Sequence, residues 1–247
     1  MTNAVGHRAV FGVIVPSTNT VVEHDYWRAA VPGIAYRAGS MYIPNPVMGD
    51  DADFQGLLGQ IRASIDTAVR DALTAEPDRM VMGMSAETFW GGVQGNAAFE
   101  QRLRDRTGLP VTTGASSCRA ALRALGCRRI AVFSPYQPIA DREVGRYFTE
   151  AGFEVTAITG LRCPTAMDIA RVPDDRLREM VADIDSPEAE AIVQVGTNLS
   201  FVALADRLEA ELGKPVIAIN SATLWHALRE HGFDDRIGGA GQLLREH

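Results

Sequence analysis

Polar and mostly uncharged side chains follow the ends of the apolar runs in this sequence. A hydroxyl or amide at the carboxyl end of a parallel strand, beside the start of the next helix, can donate to an anionic oxygen, and the helix dipole favours negative charge there. The same residue types also cap helices, so no single one of them identifies a site. Together they predict a site that holds a small carboxylate or amide with neutral donors. The candidate binding residues are Ser17, Asn19, Gly83, Met84, Ser85, Gly196, Thr197 and Asn198.

Two residues near these positions are able to move a proton or donate to an oxyanion. Glu87 stands two residues after Ser85 and is followed by Phe89 and Trp90, and a carboxyl group beside aromatic rings can have a raised pKa and act as a general acid or base. Tyr136 could donate to a developing oxyanion. The alternatives are an acidic residue in a first helical turn and a half-buried packing tyrosine. We predict Glu87 and Tyr136 as the catalytic candidates.

Signatures of other enzyme classes are absent from the sequence. It contains no GxxxxGK[ST] loop, no HExxH and no GxSxG. Its five histidines are not spaced as a set of metal ligands. Cys118, Cys127 and Cys163 are too few and too scattered for a disulfide framework or a zinc site. We therefore expect a site without a metal or an organic cofactor.

The composition narrows the class of protein further. The chain has 247 residues, 46% of them hydrophobic, and a net charge of −7, which argues against nucleic-acid binding because that requires a basic face. No run approaches the ~18–20 apolar residues of a membrane span, and the start lacks the pattern of a secretory signal peptide. We expect a cytoplasmic protein without nucleic-acid or membrane partners. The oligomeric state is left open, with a homo-oligomer among the alternatives.

Short apolar runs alternate with longer amphipathic stretches along the whole chain. Val10–Val15 and Arg79–Met84 are typical of buried parallel strands, and the helical period of Asp51–Ala75 is typical of a helix that covers a sheet. A second series of the same kind begins with the strand Arg129–Phe133. This alternation predicts an α/β protein whose parallel sheets are covered on both faces by helices.

Two internal echoes indicate that the chain contains two similar lobes. Residues 15–19 and 133–136 occupy equivalent places in the two series, and Gly83-Met84-Ser85 is echoed by Gly196-Thr197-Asn198. Ligands of open parallel sheets bind beyond the carboxyl ends of the strands. Four such ends in two facing lobes therefore predict one cleft between them.

The echoes also suggest where the lobes divide. We predict a first lobe at residues 1–114, completed by residues 220–247, and a second lobe at residues 115–219. No linker rich in Ser and Gly separates them, so we expect the lobes to be docked tightly.

The same strand ends resemble those of the aspartate/glutamate racemase superfamily, specifically its branch of maleate cis–trans isomerases and arylmalonate decarboxylases. Gly12–Thr20 is similar to the opening of maleate isomerases, whereas Thr107–Thr113 and Ala124–Ala131 resemble the decarboxylases. The likeness covers most of the chain. It implies two flavodoxin-like lobes that face each other across an enclosed cleft, with no metal or organic cofactor.

The resemblance also implies that two cysteines of the superfamily are missing here. Its members usually carry one cysteine at a strand end in each lobe, and these positions match Gly83 and Gly196. Two-base racemisation and thiolate addition are then unavailable, because glycine carries neither a proton nor a nucleophile. The remaining donors could stabilise an enolate after decarboxylation or the tetrahedral intermediate of a hydrolysis.

We therefore expect a cofactor-independent hydrolase or lyase that cleaves a C–N or C–C bond in a small carboxylate or amide. In this hypothesis Glu87 moves the proton or activates water, and Tyr136 donates to the oxyanion. Two alternatives stay open. The chain could be a non-catalytic protein that binds small carboxylates, or an isomerase of the maleate isomerase type that uses a relocated thiol, Cys163.

Overall fold

Two four-stranded parallel sheets form the frame of the molecule, as the alternation of strands and helices predicts. The computed structural model describes residues 4–247. The first sheet contains β1 (Ala9–Pro16), β2 (Ile34–Met41), β3 (Arg79–Met82) and β4 (Val111–Thr112), in the order β2-β1-β3-β4. The second contains β5 (Arg129–Ser134), β6 (Glu154–Gly160), β7 (Ala191–Gln194) and β8 (Val216–Ala218), in the order β6-β5-β7-β8. The matching strand orders show that the lobes share one topology.

The connections between the strands are helical. The helices of the described residues are α1 (Val22–Arg28), α2 (Asp51–Leu73), α3 (Ala86–Phe89), α4 (Gly92–Thr107), α5 (Gly114–Ala124), α6 (Pro138–Glu150), α7 (Ala166–Ala170), α8 (Asp174–Ile184), α9 (Val202–Leu212), α10 (Ile219–Glu230) and α11 (Gln242–Glu246).

The sequence explains why the longest of these helices forms where it does. The side chain of Asp50 accepts hydrogen bonds from the backbone N–H groups of Ala52 and Asp53 at the start of α2, a cap that typically contributes about 1 kcal/mol. Apolar residues then recur at helical spacing, and α2 buries them against β1 and β2. Residues Leu57 and Ile61 of this face also reach the cleft between the lobes.

Three short helices cannot be predicted from the periodicity of apolar residues. Helices α3, α7 and α11 have four or five residues each, and one turn is too short to show an apolar period. Helix α10 packs against α5 and α1 and contacts β3 and β4. The predicted lobe boundaries stay predictions, and residues 1–3 of the first lobe lie outside the described residues.

The registers of the two sheets show which residues of the lobes are equivalent. Ile14 of β1 pairs with Met82 of β3, and Phe133 of β5 pairs with Gln194 of β7. The residue that follows β3 is Gly83, so its counterpart after β7 is Val195. The predicted equivalence of Gly83 and Gly196 is therefore wrong by one residue.

The same registers relate the other strand-end residues. Pro16 and Pro135 each stand two residues beyond the paired positions of β1 and β5. Ser17 is consequently the counterpart of Tyr136, and Ser85 is the counterpart of Thr197.

Candidate active site

Carboxyl ends of strands from both lobes meet around a cavity of about 60 Å³. One part of its wall is apolar and the other part carries hydroxyl and amide groups. None of the lining residues is charged, so a bound carboxylate would be held by neutral donors. The lining residues are Pro16, Thr18, Asn19, Ile43, Leu57, Ile61, Met84, Ser85, Ala86, Tyr136, Ala166, Ile169, Gly196, Thr197 and Asn198.

Ser85 and Tyr136 join the two lobes at the centre of the polar wall. The Oγ of Ser85 and the phenolic oxygen of Tyr136 share a hydrogen bond, and the backbone N–H of Thr197 donates to the same Oγ at 3.2 Å. Tyr136 is 5% exposed, and burial raises the pKa of its phenol above the usual value, although its hydrogen bond with Ser85 opposes the shift. A phenol that stays protonated at neutral pH keeps its proton available for donation.

Asn19 and Thr197 form a second connection between the lobes. The Nδ2 of Asn19 donates to the Oγ1 of Thr197 at 3.2 Å, and that hydroxyl donates to the carbonyl oxygen of Gly83 at 3.1 Å. The Oδ1 of Asn19 accepts from the backbone N–H groups of Val21 and Val22, both at 3.0 Å. Asn19 therefore holds the start of α1 and reaches across the cleft with the same side chain.

The amide of Asn198 is fully engaged in holding loops together. Its Oδ1 accepts from the backbone N–H of Thr20 at 3.1 Å, and its Nδ2 donates to the carbonyl oxygens of Ala166 at 2.9 Å and Thr18 at 3.3 Å. Asn198 lines the cavity, but these bonds make it a structural element of the wall.

Loops of the two lobes also join beside the cavity. Val47 and Thr165 form an isolated antiparallel bridge, and the backbone N–H of Met48 donates to the carbonyl oxygen of Pro164 at 2.7 Å. The side chain of Gln137 donates to the carbonyl oxygen of Met48. These bonds join the segments that contribute Ile43 and Ala166 to the wall.

Two predicted binding residues, Ser17 and Gly83, do not line the cavity. The Oγ of Ser17 accepts from the backbone N–H of Ile43 at 2.9 Å and donates to its carbonyl oxygen at 3.3 Å. Gly83 contributes its carbonyl oxygen, and a Cβ at this position would lie 2.6 Å from the Cγ1 of Val15. Ser17 therefore fastens a loop, and Gly83 lies where two elements pack closely.

Gly196 does line the cavity, for a reason that involves the backbone. Its φ angle is +104°, and a Cβ there would lie 2.4 Å from the Cδ of Pro135. Only glycine fits this conformation and this close approach. Val195, the counterpart of Gly83, is completely buried and has no ionisable group.

Glu87 also lies outside the set of lining residues. Its Oε1 accepts from the Nε of Arg62 at 2.8 Å, and Arg62 is 47% exposed. The Oε2 of Glu87 is buried and has no hydrogen-bond partner. The carboxylate thus forms an ion pair with α2, and this geometry gives no support to the predicted role of Glu87 as acid or base.

None of the three thiols lines the cavity. Cys163 is buried, and burial together with Asp168 raises its pKa to about 11. Burial also raises the pKa values of Cys118 and Cys127. All three thiols are therefore protonated near neutral pH, and none of them is placed at the cavity to replace the missing pair. Within residues 4–247 no cluster of three or more His, Cys, Asp or Glu side chains could hold a metal ion, and no helix there is long and apolar enough to span a bilayer.

Sequence reasoning missed the apolar wall and one buried polar residue. The periodic face of α2 indicated packing against a sheet, and the sequence alone did not show that Leu57 and Ile61 face the cleft. Asn220 stands two residues after β8 and donates to the carbonyl oxygen of Thr197. Its position as a polar residue just after β8 is the sequence signal that could have identified it.

Comparisons with known proteins agree with this architecture. The sequence profile of the arylmalonate decarboxylase family matches residues 12–244. The arylmalonate decarboxylase of Bordetella bronchiseptica is 30% identical over 241 residues, which cover 95% of this chain and 96% of that protein. A maleate isomerase of Geobacillus stearothermophilus is 28% identical over 136 residues, and there the alignment spans only about half of each protein, 55% of this chain and 54% of the relative.

A solved structure shows the same fold. It is a cysteine-to-serine variant of the Nocardia farcinica maleate cis–trans isomerase with a covalently bound succinylcysteine intermediate. The two structures align with a TM-score of 0.87 at 22% identity, over 97% of this chain and 99% of that chain. The chain belongs to the arylmalonate decarboxylase family, in the branch of the aspartate/glutamate racemase superfamily that also contains the maleate isomerases.

Proposed function

We propose that the protein is a cofactor-independent decarboxylase of small dicarboxylates in which both carboxyl groups are attached to one carbon. The observation that carries the proposal is the cross-lobe set of neutral donors, Ser85, Tyr136 and Thr197, beside an apolar wall without any charged residue. Membership of the arylmalonate decarboxylase family supports the same reaction class.

The two parts of the wall fit the two carboxyl groups of such a substrate. One carboxylate accepts hydrogen bonds from the polar wall, where the hydroxyls of Ser85 and Tyr136 and the amide of Asn19 lie. The other faces side chains such as Leu57 and Ile61, which solvate a charge poorly and so favour its departure as neutral CO₂. The C–C bond breaks, and its electron pair passes into the retained carboxylate to give an enediolate whose oxygens the donors stabilise.

The carbon must then receive one proton. Tyr136 is the best donor among the lining residues, because burial keeps its phenol protonated at neutral pH and an enediolate is a strong base. The phenol gives its proton to carbon, and the phenolate recovers one from solvent. The overall reaction consumes one proton and releases one CO₂, with no oxidant or reductant.

Other reactions have less support at this site. Hydrolysis of a C–N bond needs a base that activates water, and no Asp, Glu or His side chain lines the cavity. Addition of a thiolate to a double bond needs an ionised thiol, and the pKa of Cys163 is raised to about 11.

The test is to incubate the protein with 2-substituted malonates in D₂O and to follow CO₂ release and the product by NMR. We expect one deuterium at the former C2, in a product of one handedness. Ser17→Ala serves as a control, since this hydroxyl does not line the cavity. Fumarate from maleate would establish isomerisation instead. Thermal stabilisation by malonates without CO₂ would establish a carboxylate-binding protein.

A further inference from the structure

A buried carboxylate lies behind the polar wall of the cavity. Asp25 of α1 is 5% exposed, and its Oδ2 accepts a hydrogen bond from the Nδ2 of Asn220, on α10, at 2.7 Å. The same Nδ2 donates to the carbonyl oxygen of Thr197 at 3.0 Å. One amide group therefore connects Asp25 to a residue that lines the cavity.

Thr197 is held at each of its polar groups. Its N–H donates to Ser85 and its hydroxyl donates to the carbonyl oxygen of Gly83. Both of these bonds run to the strand end of the first lobe. The bond to its carbonyl oxygen comes from Asn220, which does not line the cavity. Asn220 thus anchors Thr197 from behind, and the N–H of Thr197 in turn holds the Ser85 hydroxyl at the cavity.

The orientation of the Asn220 amide depends on its acceptors. An ionised carboxylate is a stronger acceptor than a neutral carboxyl group, so ionised Asp25 holds one N–H and leaves the other directed at Thr197. When Asp25 is protonated, that hold weakens, and the bond from Asn220 to Thr197 is less firmly oriented.

The charge of Asp25 is costly for the fold. Within residues 4–247 no salt bridge to Asp25 is formed. The group that faces it from α10 is the neutral amide of Asn220. Burial raises the pKa of Asp25 to about 6, against the opposing effects of the Asn220 hydrogen bond and of His24 and Arg28 on its own helix.

The neighbouring phenol of Tyr26 does not supply a compensating charge. Its pKa is raised by burial, by Tyr36 and by Asp25, so it is neutral when Asp25 ionises. An asparagine at position 25 could accept the same hydrogen bond without a buried charge. Asp25 carries this costly charge, and only the side chain of Asn220 separates it from the cavity-lining Thr197. This arrangement indicates that the charge has a role at the cavity.

We propose that Asp25 is a positioning residue whose ionised carboxylate orients Asn220, and through it Thr197, so that the N–H of Thr197 holds the Ser85 hydroxyl at the cavity, and that protonation of Asp25 loosens Thr197 and lowers turnover. The structural half of this inference stands by itself. The kinetic half rests on the proposed decarboxylation.

The structural half is tested by NMR titration of protein with ¹⁵N-labelled Asn and Thr. We expect the side-chain amide of Asn220 and the backbone amide of Thr197 to shift together, with a midpoint near pH 6. Asp25→Asn should abolish that titration. Glu209→Gln is the matched control, because Glu209 is also a buried carboxyl group with a pKa raised by burial, but it accepts from Val216 and Gln242 and does not line the cavity.

The kinetic half is tested on the substrate that the malonate panel identifies. We expect the kcat of the wild type to fall below about pH 6, and Asp25→Asn to lose this limb while its KM changes little. Asn220→Ala, which removes the connection without changing the charge, should lower kcat about tenfold above pH 6 and should also lose the fall in kcat below pH 6.

The outcomes separate the two proposals. An Asn220 or Thr197 signal that does not titrate between pH 4.5 and 8, or that titrates equally in Asp25→Asn, would overturn the inference whatever the reaction. A joint titration together with an unchanged kcat limb in Asp25→Asn would overturn its kinetic half. A normal titration in a protein that releases no CO₂ from any malonate would overturn the proposed function and leave the connection of Asp25 to Thr197 intact.

Discussion

The two lobes carry equivalent strand ends but use them differently. Ser17 and Tyr136 are counterparts, yet the hydroxyl of Ser17 fastens the loop at Ile43 while the phenol of Tyr136 crosses the cleft to Ser85. Of these two counterparts, only Tyr136 of the second lobe presents its hydroxyl to the cavity. Two lobes of the same topology can therefore place a proposed proton donor on one side of the cavity alone.

A second pair of counterparts behaves in the opposite way. Ser85 and Thr197 are equivalent positions of the two lobes, and they contact each other, since the Thr197 N–H donates to the Ser85 hydroxyl. The donors that would hold a substrate thus come from both lobes. The frame is shared between the lobes, whereas the proposed proton donor belongs to one of them.

The largest expected effect separates Tyr136 from its counterpart. Tyr136→Phe should lower kcat about 10²–10³-fold, because it removes the proton donor and an oxyanion contact. Ser17→Ala should change kcat by less than about threefold, since Ser17 serves only a loop. Steady-state kinetics of both variants on the identified malonate give the comparison. Equal losses would show that the lobes contribute alike.

The next effect concerns three residues that follow β3 and β7, namely Gly83, Val195 and Gly196. Gly196→Ala should destabilise the fold by about 3 kcal/mol, because a left-handed backbone angle and the contact with Pro135 both oppose a Cβ. Gly83→Ala should cost about 1–3 kcal/mol through the contact with Val15. Val195→Cys should cost less than about 1.5 kcal/mol. Urea unfolding measures all three, and a tolerated Gly196→Ala would contradict the conclusion that only glycine fits this backbone conformation and this close approach.

A smaller effect compares the buried carboxylates of α1 and α6. The pKa of Asp25 is raised from its usual value of 3.8 to about 6. A raised pKa contributes stability that is complete below pH 3.8 and is lost as the pH rises through 6. Asp25→Asn should therefore unfold like the wild type near pH 4 and be more stable by roughly 2–3 kcal/mol near pH 8.

Asp141 of α6 provides the control for that experiment. Burial raises the pKa of Asp141 as well, but this carboxylate is bonded to Ser134 and to the guanidinium of Arg162. Asp141→Asn removes that ion pair and should therefore destabilise the fold at pH 8. Thermal unfolding at pH 4 and pH 8 measures both variants. A destabilised Asp25→Asn at pH 8 would show that Asp25 contributes to stability as Asp141 does.

The smallest expected effect concerns Glu87 of the first lobe. Its carboxylate pairs with the half-exposed Arg62 and does not line the cavity. Glu87→Gln should change kcat by less than about threefold, and Arg62→Gln should behave alike. A hundredfold loss in Glu87→Gln alone would restore the acid or base role that its sequence position suggests.

The sequence by itself determined the architecture and the kind of site. Apolar runs that alternate with helical periods permit little besides covered parallel sheets, and such sheets bring the carboxyl ends of their strands together. Neutral donors at these ends, such as Asn19, Ser85 and Thr197, could be identified from their position alone. The motifs of the first lobe and the connections after it were sufficient to indicate the family.

Only the tertiary structure decided which side chains face the cavity. Side chains alternate in direction along a strand end, so an error of one residue changes the face. That is why Val195, and not Gly196, corresponds to Gly83. Glu87 comes after β3, as a residue of the cavity should, but its side chain contacts Arg62 of α2 instead.

No local sequence pattern could have predicted the burial of Asp25. Its partner Asn220 comes 195 residues later in the chain, and α1 by itself is a short helix with charged residues on either side of Asp25. The environment of that carboxylate exists only when α10 packs against α1. Spacing along the chain therefore predicted the donors of the polar wall, while the packing of distant helices decided which charge lies behind it.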